Sequence, residues 1–306
     1  MRVSRKAWLW LAAVLAALVL SGCESMGVFG DIGASIGEAT GTLDAEQADS
    51  VRRVGEAVGH SYEELTPREE HYIGRAVTAQ MIARYGVWDQ PQAHTYLNTL
   101  GQALAAVSDQ PETYRGYRFL ILDSDEINAF AAPGGFVMVT RGLLRETPDE
   151  DALAGVLAHE IVHVTEQHGL QAIRQSRLTQ AVALLATESI RHMGSEDLVR
   201  LTEAFEGTVS DITESLVSRG YSRRAEADAD RGAVRLMQRV GYQPEAYEQM
   251  LLTLGELADD GRGGLFRTHP HPHDRLETVR AEVSAAPGRV SNRTREARFR
   301  QFQSLI

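Results

Sequence analysis

The sequence predicts an α+β fold that is mainly helical and carries one small sheet. The chain has 306 residues, 43% of them hydrophobic and 24% charged, which is the composition of an ordinary globular protein with a sizeable core. Helix starts marked by a cap residue and a proline recur along it, whereas β-type runs are confined to residues 117–140.

The N-terminus predicts a signal peptide over residues 1–22. A basic segment, Met1–Lys6, precedes an apolar run of 14 residues, Ala7–Leu20, which is too short to span a membrane with certainty. Leu20–Cys23 resembles a bacterial lipobox, and Cys23 is the sole cysteine of the chain. The resemblance implies cleavage before Cys23, lipidation of its thiol and a folded part outside the cytoplasm. An uncleaved anchor helix is the alternative.

Residues 23–42 are rich in glycine and serine and predict a flexible tether from Cys23. The main domain is expected over residues 43–284, followed by a polar tail over 285–306. Thr66–Glu69 predicts a helix with a capping box, running to about Tyr85. Further helices are predicted at about Gln92–Val107, at Ala152–His168 with Gly169 as its stop, at Ser222–Val240 ended by Gly241, and at Pro244–Leu257.

Three short segments predict the sheet. Tyr117–Leu122 reads as one strand, and Ala129–Phe130 and Phe136–Thr140 flank the turn Pro133-Gly134-Gly135.

The charge balance excludes one class of function. The formal net charge is −11 and the sequence pI is about 5.4. A nucleic-acid-binding protein would present a basic face, so no nucleic-acid partner is expected.

The pattern His-Glu-x-x-His lies at residues 159–163, inside an apolar helical segment. Residues four apart share a helix face, so His159 and His163 can direct their imidazoles at one ion. Imidazole nitrogen suits Zn²⁺, and Glu160 is placed to act as general base on a water at the metal. The alternative is a chance pattern on a buried helix, which would leave these polar side chains costly to bury.

A catalytic zinc needs a third protein ligand and one open position. The metzincin continuation is absent, because Glu166 stands where that pattern has glycine. Glu226, in the acidic segment Arg223–Asp230, is the best candidate, and Asp230 lies one turn further on the same face, suited to accept the outer N–H of a ligand histidine. From the residues alone, it is an equally good interpretation that Glu226 and Asp230 lie on a solvated acidic helix face.

Four motifs in order resemble the gluzincin metallopeptidase family of HtpX, the CAAX-prenyl proteases and the Oma peptidases, with a layout like that of its LoiP/BepA-type bacterial lipoproteins. They are Asn128–Ala131 with the Pro-Gly-Gly turn, the His-Glu-x-x-His helix with His168-Gly169, Glu226-x-x-x-Asp230, and Thr268-His269-Pro270 with Arg275. The resemblance implies a zincin-like metalloprotease domain with one zinc ion. Glu226 would be the third ligand, and Asn128, Ala129 and Phe130 would lie on an active-site edge strand that binds substrate.

The resemblance also places His269 and Arg275 near the active site, as catalytic residues. His269 would either stabilise the oxyanion or fill the fourth zinc position in a latent enzyme. His271 and His273 have no matched role. A structural zinc site is disfavoured, because such sites favour cysteine.

The resulting expectation is a zinc metalloendopeptidase of the bacterial cell envelope that cleaves unfolded or misassembled proteins. The expected location is lipid-anchored, at the outer membrane facing the periplasm, with the outer-membrane assembly machinery as a possible partner. The alternative is a chaperone or assembly factor that uses the same groove with little cleavage.

Overall fold

The first helix of the described residues begins at the predicted capping box. A computed structural model describes residues 65–171, 207, 209–210, 212–260, 264, 268–283 and 293–306, all within one compact unit formed by Leu65–Arg174 and Glu206–Ile306. In α1 (Pro67–Tyr85) the Thr66 hydroxyl accepts a hydrogen bond from the Glu69 amide, and the Glu69 carboxylate accepts one from the Thr66 amide. The predicted signal peptide, the tether and Cys23 lie outside the described residues.

The other predicted elements occur in the predicted order, together with short or late helices that were not predicted. The helices are α2 (Pro91–Ala105), α3 (Arg141–Glu146), α4 (Glu150–Thr165), α5 (His168–Gln171), α6 (Arg223–Val240), α7 (Pro244–Asp259), α8 (Pro272–Val283) and α9 (Arg293–Gln303), with a π-helix at Ser215–Arg219. The strands are β1 (Arg118–Leu122), β2 (Ala129–Ala132) and β3 (Phe136–Thr140). The mainly helical α+β prediction is confirmed.

The sheet has the order β1-β3-β2, so β2 is an edge strand of the described sheet. β1 pairs in parallel with β3, whereas β2 pairs antiparallel with β3 across the Pro133–Gly135 turn. Gly134 has a φ of 72°, and a Cβ there would lie 2.7 Å from the Cα of His71 in α1. Only glycine allows this turn to pack so closely on α1.

α4 forms the centre of the unit. Every residue from Ala152 to Val164 is buried, and the helix packs against α2, α6, α7 and β2. A helix that is apolar on all sides belongs in a core. The approach of α6 is especially close, since a Cβ at Gly232 would lie 2.7 Å from the Val162 side chain. This packing brings the first turn of α6 against the His-Glu-x-x-His segment.

The start and end of α4 differ in detail from the prediction. The helix begins at Glu150, two residues before the predicted start, and Asp149 caps it, with its carboxylate accepting from the Ala152 amide at 2.8 Å. The predicted stop at Gly169 is wrong, because α4 ends at Thr165 and Gln167 adopts a positive φ of 52°. Gly169 instead lies within the short helix α5, which turns back beneath the end of α4.

The predicted polar tail, 285–306, contains a helix that packs on the core. In α9 the side chains of Phe299 and Phe302 are almost fully buried and join the main hydrophobic cluster. Arg298 also forms an ion pair with Glu150 at the start of α4. The described part of this tail is therefore integral to the folded unit. The segment is polar on average, but its two phenylalanines are buried in the core.

None of the helices within the described residues has the length and apolar character needed to cross a bilayer.

Candidate metal centre

The two histidines of α4 face one another as their spacing predicts. Their Nε2 atoms are 3.0 Å apart, and both side chains are almost completely buried. Apart from Glu160, the neighbours of the two histidines along this helix are apolar, so the imidazoles need partners from other elements.

Glu226 comes to this pair from the first turn of α6. Its Oε2 lies 3.5 Å from Nε2 of His159, and its Oε1 lies 3.7 Å from Nε2 of His163. The Glu226 side chain is also buried. Burial would raise its pKa, but the nearby imidazoles of His269, His159 and His163 hold the pKa of Glu226 well below its usual range. The carboxylate is therefore ionised.

The donor set fits a zinc ion. Zinc binds imidazole nitrogen and carboxylate oxygen at about 2.0–2.2 Å in tetrahedral geometry, which separates neighbouring donor atoms by roughly 3.3 Å. The three separations between His159, His163 and Glu226 are 3.0, 3.5 and 3.7 Å. Two imidazole nitrogens at 3.0 Å also need a proton or a cation between them, because two lone pairs repel. The residues present thus match the group that the motif implies.

Glu160 lies beside this triad and is almost fully buried. Within the described part of the chain its Oε2 has no hydrogen-bond partner, and its Oε1 is 3.8 Å from Nε2 of His269. Burial raises the pKa of Glu160, which brings this carboxylate closer to the range in which it can exchange protons. An unbonded buried carboxylate oxygen next to three candidate ligands suits a group that handles a proton.

Asp230 lies behind His159, one turn after Glu226. Its Oδ1 is 3.1 Å from Nδ1 of His159 and accepts a hydrogen bond of 2.8 Å from the Tyr247 hydroxyl. Burial would lower the pKa of His159, but the hydrogen bonds to Asp230 and Glu226 prevail and raise it to about 9. The carboxylate thereby fixes the ring so that Nε2 points toward the triad.

Arg275 neutralises Asp230. Its Nε and Nη2 lie 3.0 and 2.6 Å from the two oxygens of Asp230, and the Asp230 pKa is held well below its usual range despite burial. Nη2 is also 3.1 Å from Nδ1 of His159. Nη2 also donates to the Tyr247 hydroxyl at 2.5 Å. Within the described residues Arg275 thus supports the carboxylate that orients His159 and that ring, and it makes no hydrogen bond to Glu160.

His269 reaches into the same group from the segment before α8. Its Nδ1 is 2.9 and 3.0 Å from the two oxygens of Glu226. One donor atom each from His159, His163, Glu226 and His269 lies within 4.8 Å of all the others, and all four residues are buried. His269 therefore belongs to the same group of candidate ligands as the three predicted ones. His271 and His273 lie apart, next to Asp259.

The edge strand begins next to this group. The side chain of Asn128 accepts from the Ala129 amide at 2.9 Å, and Asn128 also exchanges hydrogen bonds with Thr140 of β3. The alternation of an antiparallel ladder then directs the backbone of Ala129 and Ala131 away from β3. The ring of Phe130 stacks on Tyr85.

Tyr221, His168 and Tyr247 belong to the site although the sequence gives little sign of it. The Tyr221 ring stacks on His163 with a centroid distance of 4.3 Å, and its hydroxyl donates to the Ala131 carbonyl at 3.4 Å. His168 lies 2.8 Å from His163, and Tyr247 contacts Asp230. Tyr221 is close to Glu226 in sequence, and His168 is part of the motif that carries the resemblance, but Tyr247 has no signal in the sequence.

Comparison with known proteins gives consistent matches. Residues 91–283 match the family described as Peptidase family M48. The chain is 31% identical over 282 residues to a beta-barrel assembly-enhancing protease of Yersinia pestis, with 88% of this chain and 52% of that protein covered. The protein of the same name from Escherichia coli strain K12 is 30% identical over 245 residues, covering 77% and 47% of the two chains.

A shorter relative is also similar. The metalloprotease LoiP of Escherichia coli strain K12 is 27% identical over 190 residues, covering 62% of this chain and 70% of that protein. By contrast, the chain spans only about half the length of the two beta-barrel assembly-enhancing proteases.

Proposed function

Because this chain belongs to peptidase family M48, we propose that it is a zinc-dependent metalloendopeptidase in which His159, His163 and Glu226 hold the metal. The observation that supports this most is the convergence of three buried donor groups, 3.0–3.7 Å apart, beside a buried Glu160. A site for binding alone would have no need of this second carboxylate.

Glu160 is the general base and acid of the proposed reaction. Zinc held by the triad would polarise the scissile carbonyl and lower the pKa of a water. Glu160 accepts the proton of the attacking water and then donates it to the nitrogen of the leaving amine. Its raised pKa favours the first step, because a more basic carboxylate accepts a proton more readily.

The substrate is an extended segment of an unfolded or misassembled envelope protein, which pairs with the edge strand. The outward backbone groups of Ala129 and Ala131 offer the hydrogen bonds, while Asn128 and Phe130 fix the strand from either side. The carbonyl of Ala131 is bonded to Tyr221, so that hydrogen bond must be exchanged when a substrate strand enters.

His269 contacts Glu226 and lies 3.8 Å from the Glu160 carboxylate, and two roles for it are proposed. It either stabilises the oxyanion of the transition state or occupies the fourth position on the metal and keeps the enzyme latent. The grouping of one His269 donor atom with those of the three ligands, all within 4.8 Å of one another, favours the latent arrangement. This same observation supports the second candidate function, a chaperone or assembly factor that binds chains in the groove with little cleavage. Arg275 supports catalysis through Asp230 and His159.

The proposed location is the bacterial outer membrane, facing the periplasm, with a lipid anchor at Cys23. The names of two relatives, both beta-barrel assembly-enhancing proteases, support assembling outer-membrane proteins as substrates and the assembly machinery as a partner. Cys23→Ser should abolish incorporation of radiolabelled palmitate and release the protein from the membrane fraction. Retention of both would contradict the anchor.

The proposal that the protein is a zinc metalloendopeptidase is tested by measuring the zinc content and the caseinolytic activity of the purified protein. One zinc per chain and chelator-sensitive cleavage are expected, and Glu160→Gln should lower turnover by about 10²–10⁴-fold while retaining zinc. Equal turnover by Glu160→Gln and wild type would contradict the proposal. His269→Ala should raise activity if His269 is a latch and lower it if His269 supports the transition state.

A further inference from the structure

The geometry points to His168 as a positioning residue that fixes the protonation pattern of the metal ligand His163. This inference rests on the proposed zinc site. The Nδ1 atoms of the two rings are 2.8 Å apart, the rings lie at 70° to one another, and His168 is buried. Asp230 performs the equivalent task for His159, but with a charged carboxylate.

The break in the chain after α4 creates this contact. Residues five apart on a continuous α-helix point in directions about 140° apart, so His168 would face away from His163 if α4 continued. The positive φ of Gln167 interrupts the helix, and the amide of Leu170 then bonds back to the Gln167 carbonyl. α5 is thereby turned so that the ring of His168 meets the outer nitrogen of His163.

The contact has one consistent proton arrangement when His163 binds metal. Two Nδ1 atoms at hydrogen-bond distance require that one donates and the other accepts. A metal at Nε2 of His163 takes the lone pair there, so the neutral ring carries its proton on Nδ1. That proton is donated to Nδ1 of His168, which must therefore hold its own proton on Nε2.

The surroundings hold both rings in this orientation. Tyr221 stacks on His163 at 4.3 Å and tilts against His168 at 5.9 Å. Its hydroxyl also lies 3.4 Å from where a Cβ at Gly169 would stand, so Tyr221 packs against the backbone of α5. A neutral ring is a weaker acceptor than a carboxylate, so the hydrogen bond from His163 to His168 depends on this packing to keep the two rings aligned.

The test measures zinc affinity of the full-length protein by competition with a chromogenic chelator. His168→Leu removes the acceptor with little loss of volume and should weaken zinc binding by about 10–100-fold. His168→Asn keeps an acceptor oxygen near the position of Nδ1 and should stay within about threefold of wild type. His94→Leu is the control, since both hydrogen bonds of His94 go to backbone groups of Gln90 and Ile121, and its zinc affinity should equal that of wild type.

The inference is overturned if His168→Leu binds zinc as tightly as wild type, or if His168→Asn is as weak as His168→Leu. A measurement on the unmutated protein covers the case in which a variant does not fold. Long-range ¹H–¹⁵N correlation spectra of the zinc-loaded protein should show the proton of His163 on Nδ1 and that of His168 on Nε2, and the reverse pattern would overturn the inference. Wild-type protein that binds no zinc would instead refute the proposed function itself.

Discussion

Single side chains around the proposed metal position are held by partners of different charge. Asp230 orients His159 and is neutralised by Arg275, whereas His163 is oriented by the neutral ring of His168. The spacing of the histidines is local, so the sequence is sufficient to predict their convergence. Glu226 is sixty-three residues beyond His163, and only the resemblance distinguishes it from a solvated acidic residue.

Asp230→Asn tests the charged partner. The change leaves the buried guanidinium of Arg275 without its counter-charge, which should lower the free energy of unfolding of the metal-free protein by about 3–5 kcal/mol. Zinc affinity should fall about 10–100-fold, because the amide oxygen that replaces the charged carboxylate is a much weaker acceptor for the N–H of His159. Urea denaturation and chelator competition measure the two effects.

The double variant Asp230→Leu with Arg275→Met separates the loss of stability from the loss of zinc affinity. Replacing both charges by apolar side chains should restore most of the unfolding free energy, since no unpaired charge remains. Zinc affinity should stay low. Recovery of zinc affinity in the double variant would show that Asp230 does not orient the ligand.

At the level of elements, the close crossing of α4 and α6 sets the distance between the histidine pair and Glu226. Gly232→Ala places a methyl group 2.7 Å from the Val162 side chain. The gain in helix propensity is about 1 kcal/mol, but separating two packed helices costs about 1–3 kcal/mol and moves Glu226 outward. We expect a clear loss of zinc affinity for Gly232→Ala.

Val162→Ala combined with Gly232→Ala provides the matched control. The smaller side chain at residue 162 makes room for the new methyl group, so zinc affinity should return toward the wild-type value. Val162→Ala alone should destabilise the protein without weakening zinc binding. Equal zinc affinity of Gly232→Ala and wild type would contradict this account of the helix crossing.

Glu150 joins α4 to α9 and makes stability depend on pH. Burial opposes its ionisation, but hydrogen bonds from Arg298, Tyr96 and Tyr242 outweigh burial and hold the pKa of Glu150 below its usual range. A depressed folded-state pKa stabilises the protein above the unfolded value of 4.5, and this contribution is lost as pH falls through the folded value.

Glu150→Gln should therefore have a lower free energy of unfolding than wild type at pH 7, and the gap should narrow as pH falls below 4.5. Chemical denaturation across this pH range measures the gap, with the exposed Glu112→Gln as control. A gap that does not change with pH would contradict the assignment.

The elements themselves were largely predictable where local chemistry decides them. Capping residues and prolines define the starts of α1, α6 and α7, and Gly241 ends α6 in a left-handed conformation. The end of α4 was not predictable, because Gln167 takes the positive φ that Gly169 would have taken at lower cost. The burial of α9 was missed because Phe299 and Phe302 are its only large apolar residues.

Across the whole molecule, metal binding and stability should be linked. A ligand that binds only the folded state stabilises it by about 2.7 kcal/mol at a free concentration one hundred times Kd. Calorimetry with buffered zinc should show this increase for wild type and for Glu160→Gln, which keeps the ligands. His163→Ala should show little or none. A similar increase in His163→Ala would mean that zinc stabilises the protein from another position.

A zinc-loaded crystal, with anomalous differences recorded on both sides of the zinc absorption edge, tests the central claim most directly. The account predicts one strong peak at about 2.0–2.2 Å from Nε2 of His159, Nε2 of His163 and a carboxylate oxygen of Glu226. A zinc peak outside this triad, such as one beside His271 and His273, with the Glu226 carboxylate out of reach of the metal, would contradict it.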